Sequence, residues 1–187
     1  MAVVFLGSAG QLADSWAGVV GHLTEKPYIP VLEGNSFHQR ADALEDYLDK
    51  HELRRPTLVG HGIGAMTALQ VAARRPVERL VLSNPQLTLD KNAVDKQKKA
   101  LKWVPKFMLK SVGADKEQFR AALDEAGQID LRREAMLVEA PTLVLGADDA
   151  AREVAQVIHG AEYREVAASG DWYVTDPDRF VAEAGLR

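Results

Sequence analysis

Asp148, Asp149 and Asp171 are acids that could meet as a carboxylate cluster. Two carboxylates in a partly dry pocket cannot both ionise easily, so such a cluster holds a proton, a water or a divalent cation with oxygen ligands. The competing reading is that Asp149 caps a helix beginning near Ala150 and that Asp171 is solvated. No metal centre is expected, because no histidine joins the group and the acids are short. The absence of cysteine removes thiolate nucleophiles, thiolate metal sites and disulfides. His22, His38, His51 and His159 fall on helices or helix ends, whereas His61 lies in the glycine-rich turn Gly60-His61-Gly62-Ile63-Gly64. Ser36, Ser83 and Ser169 read as turn or loop serines, caps rather than nucleophiles.

The elements around these residues are strands alternating with helices. Thr57–Val59 is short, apolar and β-branched, and reads as a buried strand. Ala65–Ala73 is rich in helix formers. The three glycines between them allow a sharp strand-to-helix elbow, because glycine tolerates φ > 0 and close packing. Val3–Leu6 and Tyr28–Leu32 are further strands, the second near a sheet edge because Pro30 interrupts it. Arg79–Leu82, Pro141–Gly146 and Glu162–Ala167 complete a count of six. Helices are expected over Asp14–Leu23, from a Ser36/Gln39 capping box through Ala41, Leu44, Tyr47 and Leu48, over Ala151–Ile158, and after Asp176-Pro177. Alternation of this kind predicts a parallel sheet covered on both faces. Residues 87–139 change character, being charged, helical in pattern and without strand signals. Asp90 and Asp115 are candidate caps there, and Phe119, Ala122, Leu123 and Ala126 form a short apolar face.

The elbow resembles that of the α/β-hydrolase family, whose G-x-S-x-G turn presents a nucleophilic serine. The resemblance covers nearly the whole chain as one domain, residues 1–187. It implies a three-layer fold with a six-stranded sheet, and makes residues 87–139 a small helical cap. It also implies a chain order of serine, acid and histidine. Gly62 stands at the serine position, Asp149 at the acid position with Asp148 adjacent, and Asp171 at the histidine position in Gly170-Asp171-Trp172. The N–H groups of Ala9 and Ile63 match the oxyanion-hole positions. Gly7-Ser8 replaces the family's His-Gly pair. His61 takes a position where the family often has a histidine without a catalytic role. Gly7, Ser8, His61, Asp148 and Trp172 are candidate pocket residues.

Glycine cannot attack, and losing the serine or the histidine of such a triad lowers turnover by roughly 10⁶-fold. The sequence therefore points to a pseudoenzyme with a degenerate triad that binds a small ligand or a protein partner. The alternative is a hydrolase, esterase or lyase with a non-triad mechanism, using Ser8 as nucleophile or Asp149 and Asp171 as bases. The cap carries Lys91, Lys96, Lys98, Lys99, Lys102, Lys106 and Lys110 around Trp103, Phe107 and Met108. Such a helix closes an apolar stripe over a pocket while its lysines face water, and can draw an anionic ligand to the mouth. A small apolar or anionic ligand is thus expected, with no cofactor. The 187 residues are 47% hydrophobic and 27% charged, as in a globular protein, with a net charge of −4 that argues against nucleic-acid binding. The apolar run Met1–Gly7 is too short for a membrane span or signal peptide, and a cytoplasmic protein is expected.

Overall fold

The structure is a computed structural model and describes residues 2–7, 13–34, 36–103, 116–167 and 170–186. Five strands run parallel in sequence order: β1 (Val3–Leu6), β2 (Thr57–His61), β3 (Arg79–Ser83), β4 (Thr142–Gly146) and β5 (Glu162–Glu165). The helices are α1 (Ala17–Val20), following a 3-10 turn over Ala13–Trp16, then α2 (Phe37–Lys50) and α3 (Ile63–Ala72). After β3 come α4 (Lys91–Trp103), α5 (Lys116–Ala126) and α6 (Arg132–Leu137). The chain closes with α7 (Asp149–Val157), α8 (Trp172–Thr175) and α9 (Pro177–Ala184).

Every residue of β2 and β4 is buried, and a strand buried on both faces needs a helical layer on each side. Alternation along the strands divides the core accordingly. Leu58, Leu80, Leu82 and Val144 point to the side covered by α2, α3, α6 and α7. Phe5, Val59, Val81 and Leu145 point to the side covered by α1, α8 and α9. There Trp16 stacks on Tyr173 with centroids 3.9 Å apart and meets Phe180 edge-on.

The sheet has five strands rather than six. Tyr28–Leu32 contributes one bridge, between Tyr28 and Val4. The Tyr28 N–H donates to the Val3 carbonyl at 2.8 Å and its carbonyl accepts from Phe5 N–H at 2.9 Å. Two residues later Pro30 has no N–H to continue the ladder, and pairing stops. At the opposite edge β5 reads Glu-Tyr-Arg-Glu, and its charges blunt an otherwise open edge. The expected helix over Asp14–Leu23 is split and shortened, because Gly18 and Gly21 are poor helix formers. A Cβ on Gly18 would come within 2.9 Å of Pro177 on α9, so its lack of a side chain also lets these helices pack.

Capping follows the sequence closely. Ser36 accepts from Gln39 N–H and Gln39 accepts from Ser36 N–H, a complete capping box on α2. Asp176 accepts from Arg179 N–H with Pro177 at the first turn of α9, and Gly185 ends that helix at φ 61°. Asp90 accepts from Asn92 N–H at 2.9 Å before α4. Asp115 lies outside the described residues. The excursion that carries α4 and α5 leaves and returns at one point, the antiparallel bridge between Thr88 and Asp130. Val94 and Leu123 form its own small core. By contrast α6 belongs to the main core through Ala135.

The elbow is the tightest place in the fold. A Cβ on Gly60 would sit 2.5 Å from the Ala65 Cα, and one on Gly64 would strike the Leu6 and Gly7 carbonyls. These obstacles are backbone and cannot swing aside. Gly64→Ala is expected to cost about 3 kcal/mol, the upper range for overpacking. Gly127→Ala, where the nearest atom is 3.6 Å away, should stay within about 0.5 kcal/mol of the parent. Urea-unfolding midpoints at constant slope measure both, and equal midpoints for the two variants would contradict this account.

Candidate functional site

Strand β2 ends at His61, and the chain turns at Gly62 with φ 56° and ψ −121° before entering α3. That conformation is strained for any residue with a side chain. It is held by Gly62 N–H donating to the Ser83 carbonyl at 2.9 Å, and by the Gly62 carbonyl accepting from Ala65 and Met66. No side chain caps the start of α3. Ile63 is half-buried at the first helical position, and its carbonyl accepts from the Thr67 hydroxyl. Gly7 is half-buried, with its carbonyl against Gly64. Ser8 and Ala9 lie outside the described residues, as do Ser169, Lys106 and Lys110.

His61 is buried and bridges two elements. Parallel register sets it opposite Ser83 at the end of β3, and its Nδ1 lies 3.0 Å from Ser83 Oγ. The Trp172 indole N–H donates to the same Oγ at 2.9 Å. On the other side of the ring, His61 Nε2 lies 3.4 Å from Asp171 Oδ1, and the Gly170 carbonyl also accepts from the ring. Nδ1 thus shares a hydrogen bond with the Ser83 hydroxyl, and Nε2 faces the carboxylate. Burial pushes the imidazole below its usual value of 6.5, against the opposing pull of Asp171 and the Gly170 carbonyl. The ring is therefore neutral at neutral pH.

Asp171 thus abuts the residue preceding the elbow, and its side chain remains 48% exposed. It is neither free in solvent nor part of a carboxylate cluster. Asp148, not Asp149, caps α7, its Oδ1 accepting from Ala151 N–H at 2.8 Å. Asp149 is fully exposed on the first turn and pairs with Arg152 at 3.1 Å. Among the described residues no group of three acids or histidines could hold a metal. The carboxylate triplet expected as one possibility does not converge, because α7 turns its second acid outward once the first has taken the cap. Trp172, a candidate pocket residue, opens the short helix α8 and is buried.

Sequence reasoning missed Ser83, taken for a turn serine. It is a buried strand-end residue with two side-chain partners. The signal was available in the parallel register, which aligns the end of Arg79–Ser83 with His61. Sequence reasoning also took His61 for a structural residue without seeing that it holds Asp171.

The proton balance of His61 has a measurable consequence. Below pH about 6.5 the unfolded chain takes up a proton that the folded chain refuses, so stability is full above that pH and falls as pH drops towards the lowered folded value. Asp171 and Tyr173 are the other titratable groups at the ring. Relative to the parent, His61→Asn should flatten the slope of unfolding free energy below about pH 6.5. Urea titrations across that range report it, and an unchanged slope would contradict the buried neutral ring.

No protein-family model matches the chain, and no curated protein matches it in sequence. Solved structures do match over nearly its whole length. A hydrolase from Pseudomonas aeruginosa PA01 aligns with TM-score 0.78 at 17% identity, covering 97% of this chain and 87% of that one. The enol-lactonase from Burkholderia xenovorans LB400 aligns with TM-score 0.77 at 21% identity, covering 97% and 88%. A bromoperoxidase from Bacillus anthracis aligns with TM-score 0.74 at 15% identity, covering 96% and 88%. Together with the parallel sheet, its two helical layers and the glycine elbow, these alignments establish that the chain has the α/β-hydrolase fold.

Proposed function

We propose that this protein is a non-catalytic member of the fold that binds a small ligand or a protein partner at the elbow end of the sheet. One observation carries the reading. The backbone at the elbow holds the strained turn of a nucleophile position, φ 56° and ψ −121°, with no side chain on it. The residue at the histidine position supports it, since Asp171 is engaged with His61. At the acid position, Asp149 is engaged with Arg152. Retention of a tight elbow without an attacking atom fits a scaffold kept for binding. In this reading the excursion carrying α4 and α5 is a cap. It leaves β3 at the same end of the sheet as Gly62, and it docks on α2 where Glu125 accepts from His38 N–H at 3.0 Å. Its exposed Lys91, Lys96 and Lys99 face solvent, while Lys98 pairs with Asp124. No described helix is long and apolar enough to cross a membrane, and we place the protein in the cytoplasm.

Rebuilding the missing groups tests this proposal. Against a panel of short- and medium-chain p-nitrophenyl esters the parent and Gly62→Ser alone should hydrolyse at the buffer rate, because serine without histidine gains nothing. Gly62→Ser with Asp171→His restores a dyad but no positioned acid, and should give roughly 10²-fold over the parent, the margin by which loss of the acid alone is milder than loss of the whole triad. Turnover by the parent that disappears in Ser8→Ala or Asp149→Asn would overturn the non-catalytic reading and establish the substitute mechanism.

A further inference from the structure

A cleft lies at the opposite end of the sheet from the elbow. Arg55, Val77 and Pro141 precede β2, β3 and β4, so they sit at the N-terminal edge of the strands, whereas Gly62 sits at the C-terminal edge. The cleft measures about 430 Å³ and runs between the end of α3 and the loop after α6, within the roughly 300–1,000 Å³ of small-molecule sites. Ala72, Pro76, Val77, Leu137, Ala140 and Pro141 supply its apolar lining. Leu137 is 56% exposed there, an apolar surface that no described residue covers. Both proline rings have a fixed φ, so this wall is set before a ligand arrives.

Charged side chains line the same cleft, and two of them are already matched. Arg74 pairs with Asp42 and Glu45, and Arg75 pairs with Asp49. Arg55 is held only loosely. Its Nε lies 3.5 Å from Glu78 Oε2, longer than a hydrogen bond of about 2.7–3.2 Å, and its two Nη groups have no partner among the described residues. Glu139 is exposed and forms no ion pair among the described residues. The end of α3 adds an acceptor, because Pro76 stands where an N–H would pair with the Ala72 carbonyl. That end of a helix also carries partial negative charge. A simple cation in the cleft meets Arg55, and a simple anion meets Glu139 and the helix end. A molecule carrying both charges answers both. We propose that this cleft binds an α-amino acid with an apolar side chain. Its carboxylate sits on the Arg55 guanidinium, whose parallel N–H donors match two oxygens. Its ammonium group sits on Glu139 and the end of α3, and its side chain packs on Leu137 and the two prolines.

Three probes test this: L-leucine, leucinamide, which lacks the carboxylate, and N-acetyl-leucine, which lacks the ammonium group. Each is titrated into the isotope-labelled full chain at pH about 6.5, where a free α-amine is charged, and the backbone amide resonances are followed. Leucine should shift the amides of Ala73, Leu137 and Ala140 and leave those of Gly62 and Ile63 in place. It should bind about fivefold tighter than either analogue, the worth of one charged pair at an open surface. Arg55→Gln should bring leucine and leucinamide to equal affinity and keep the preference over N-acetyl-leucine. Glu139→Gln should do the reverse. Both side chains are exposed, so neither change threatens the fold. No shift at the cleft with leucine at tens of millimolar would overturn the proposal. So would equal binding of the three probes, a preference that survives its own variant, or larger shifts at Gly62 and Ile63 than at the cleft. None of these outcomes bears on the ester assay, since the cleft and Gly62 lie at opposite ends of the sheet.

Discussion

The rest of the molecule depends on the close approach of α3 to β1 and β2. At Gly60 and Gly64 the helix backbone lies where a Cβ would otherwise be, against the Leu6 and Gly7 carbonyls on one side and Ala65 on the other. A helix set so close to a sheet cannot keep a polar face, and α3 is buried from Gly64 to Ala72. Its polar side chains must then find partners inside the protein. Thr67 turns back to the Ile63 carbonyl, and Gln70 meets His38 on α2 at 2.9 Å. The same approach forces the turn at Gly62 and fixes where the candidate site lies.

The site's electrostatics follow from that placement. Because β2 and β3 are parallel and in register, His61 and Ser83 share a face with Val59 and Val81. That face is covered by α8, and Trp172 from α8 completes the buried chain of hydrogen bonds. Burial keeps the ring neutral, so it can orient Asp171 but cannot neutralise it. The proton-loss chemistry of the fold's usual triad needs a base beside a hydroxyl. Here a carboxylate stands beside a histidine whose other nitrogen is already occupied by Ser83.

Most other charges do surface work. Arg74 joins Asp42 and Glu45 on α2, Arg75 joins Asp49, and Arg132 ties Asp130 to Glu153 on α7. Exposed pairs of this kind contribute about 1 kcal/mol or less each. Their value is in placement, since they pin helix ends across the seams between α2, α3, α6 and α7. Asp171 stands apart from them as an exposed acid at a seam with a neutral partner.

The sequence by itself determined the elbow, the capping box at Ser36, the Asp176-Pro177 start of α9 and the parallel layout. Each depends on residues within a few positions of one another, where glycine freedom, caps and periodicity act locally. The proposal that Gly62 and Asp171 stand at the serine and histidine positions of the hydrolase pattern likewise rests on motif spacing in the sequence. Only the tertiary structure decided that Tyr28 pairs alone, since one residue's ladder bonds depend on which strand lies beside it and on where Pro30 breaks the run. It alone decided that Asp148 takes the cap and turns Asp149 to solvent, because the chain passes from extended to helical backbone between them. And it alone joined His61, Ser83, Trp172 and Asp171, which are far apart in the chain and adjacent only because parallel register and the packing of α8 bring three loops to one end of the sheet.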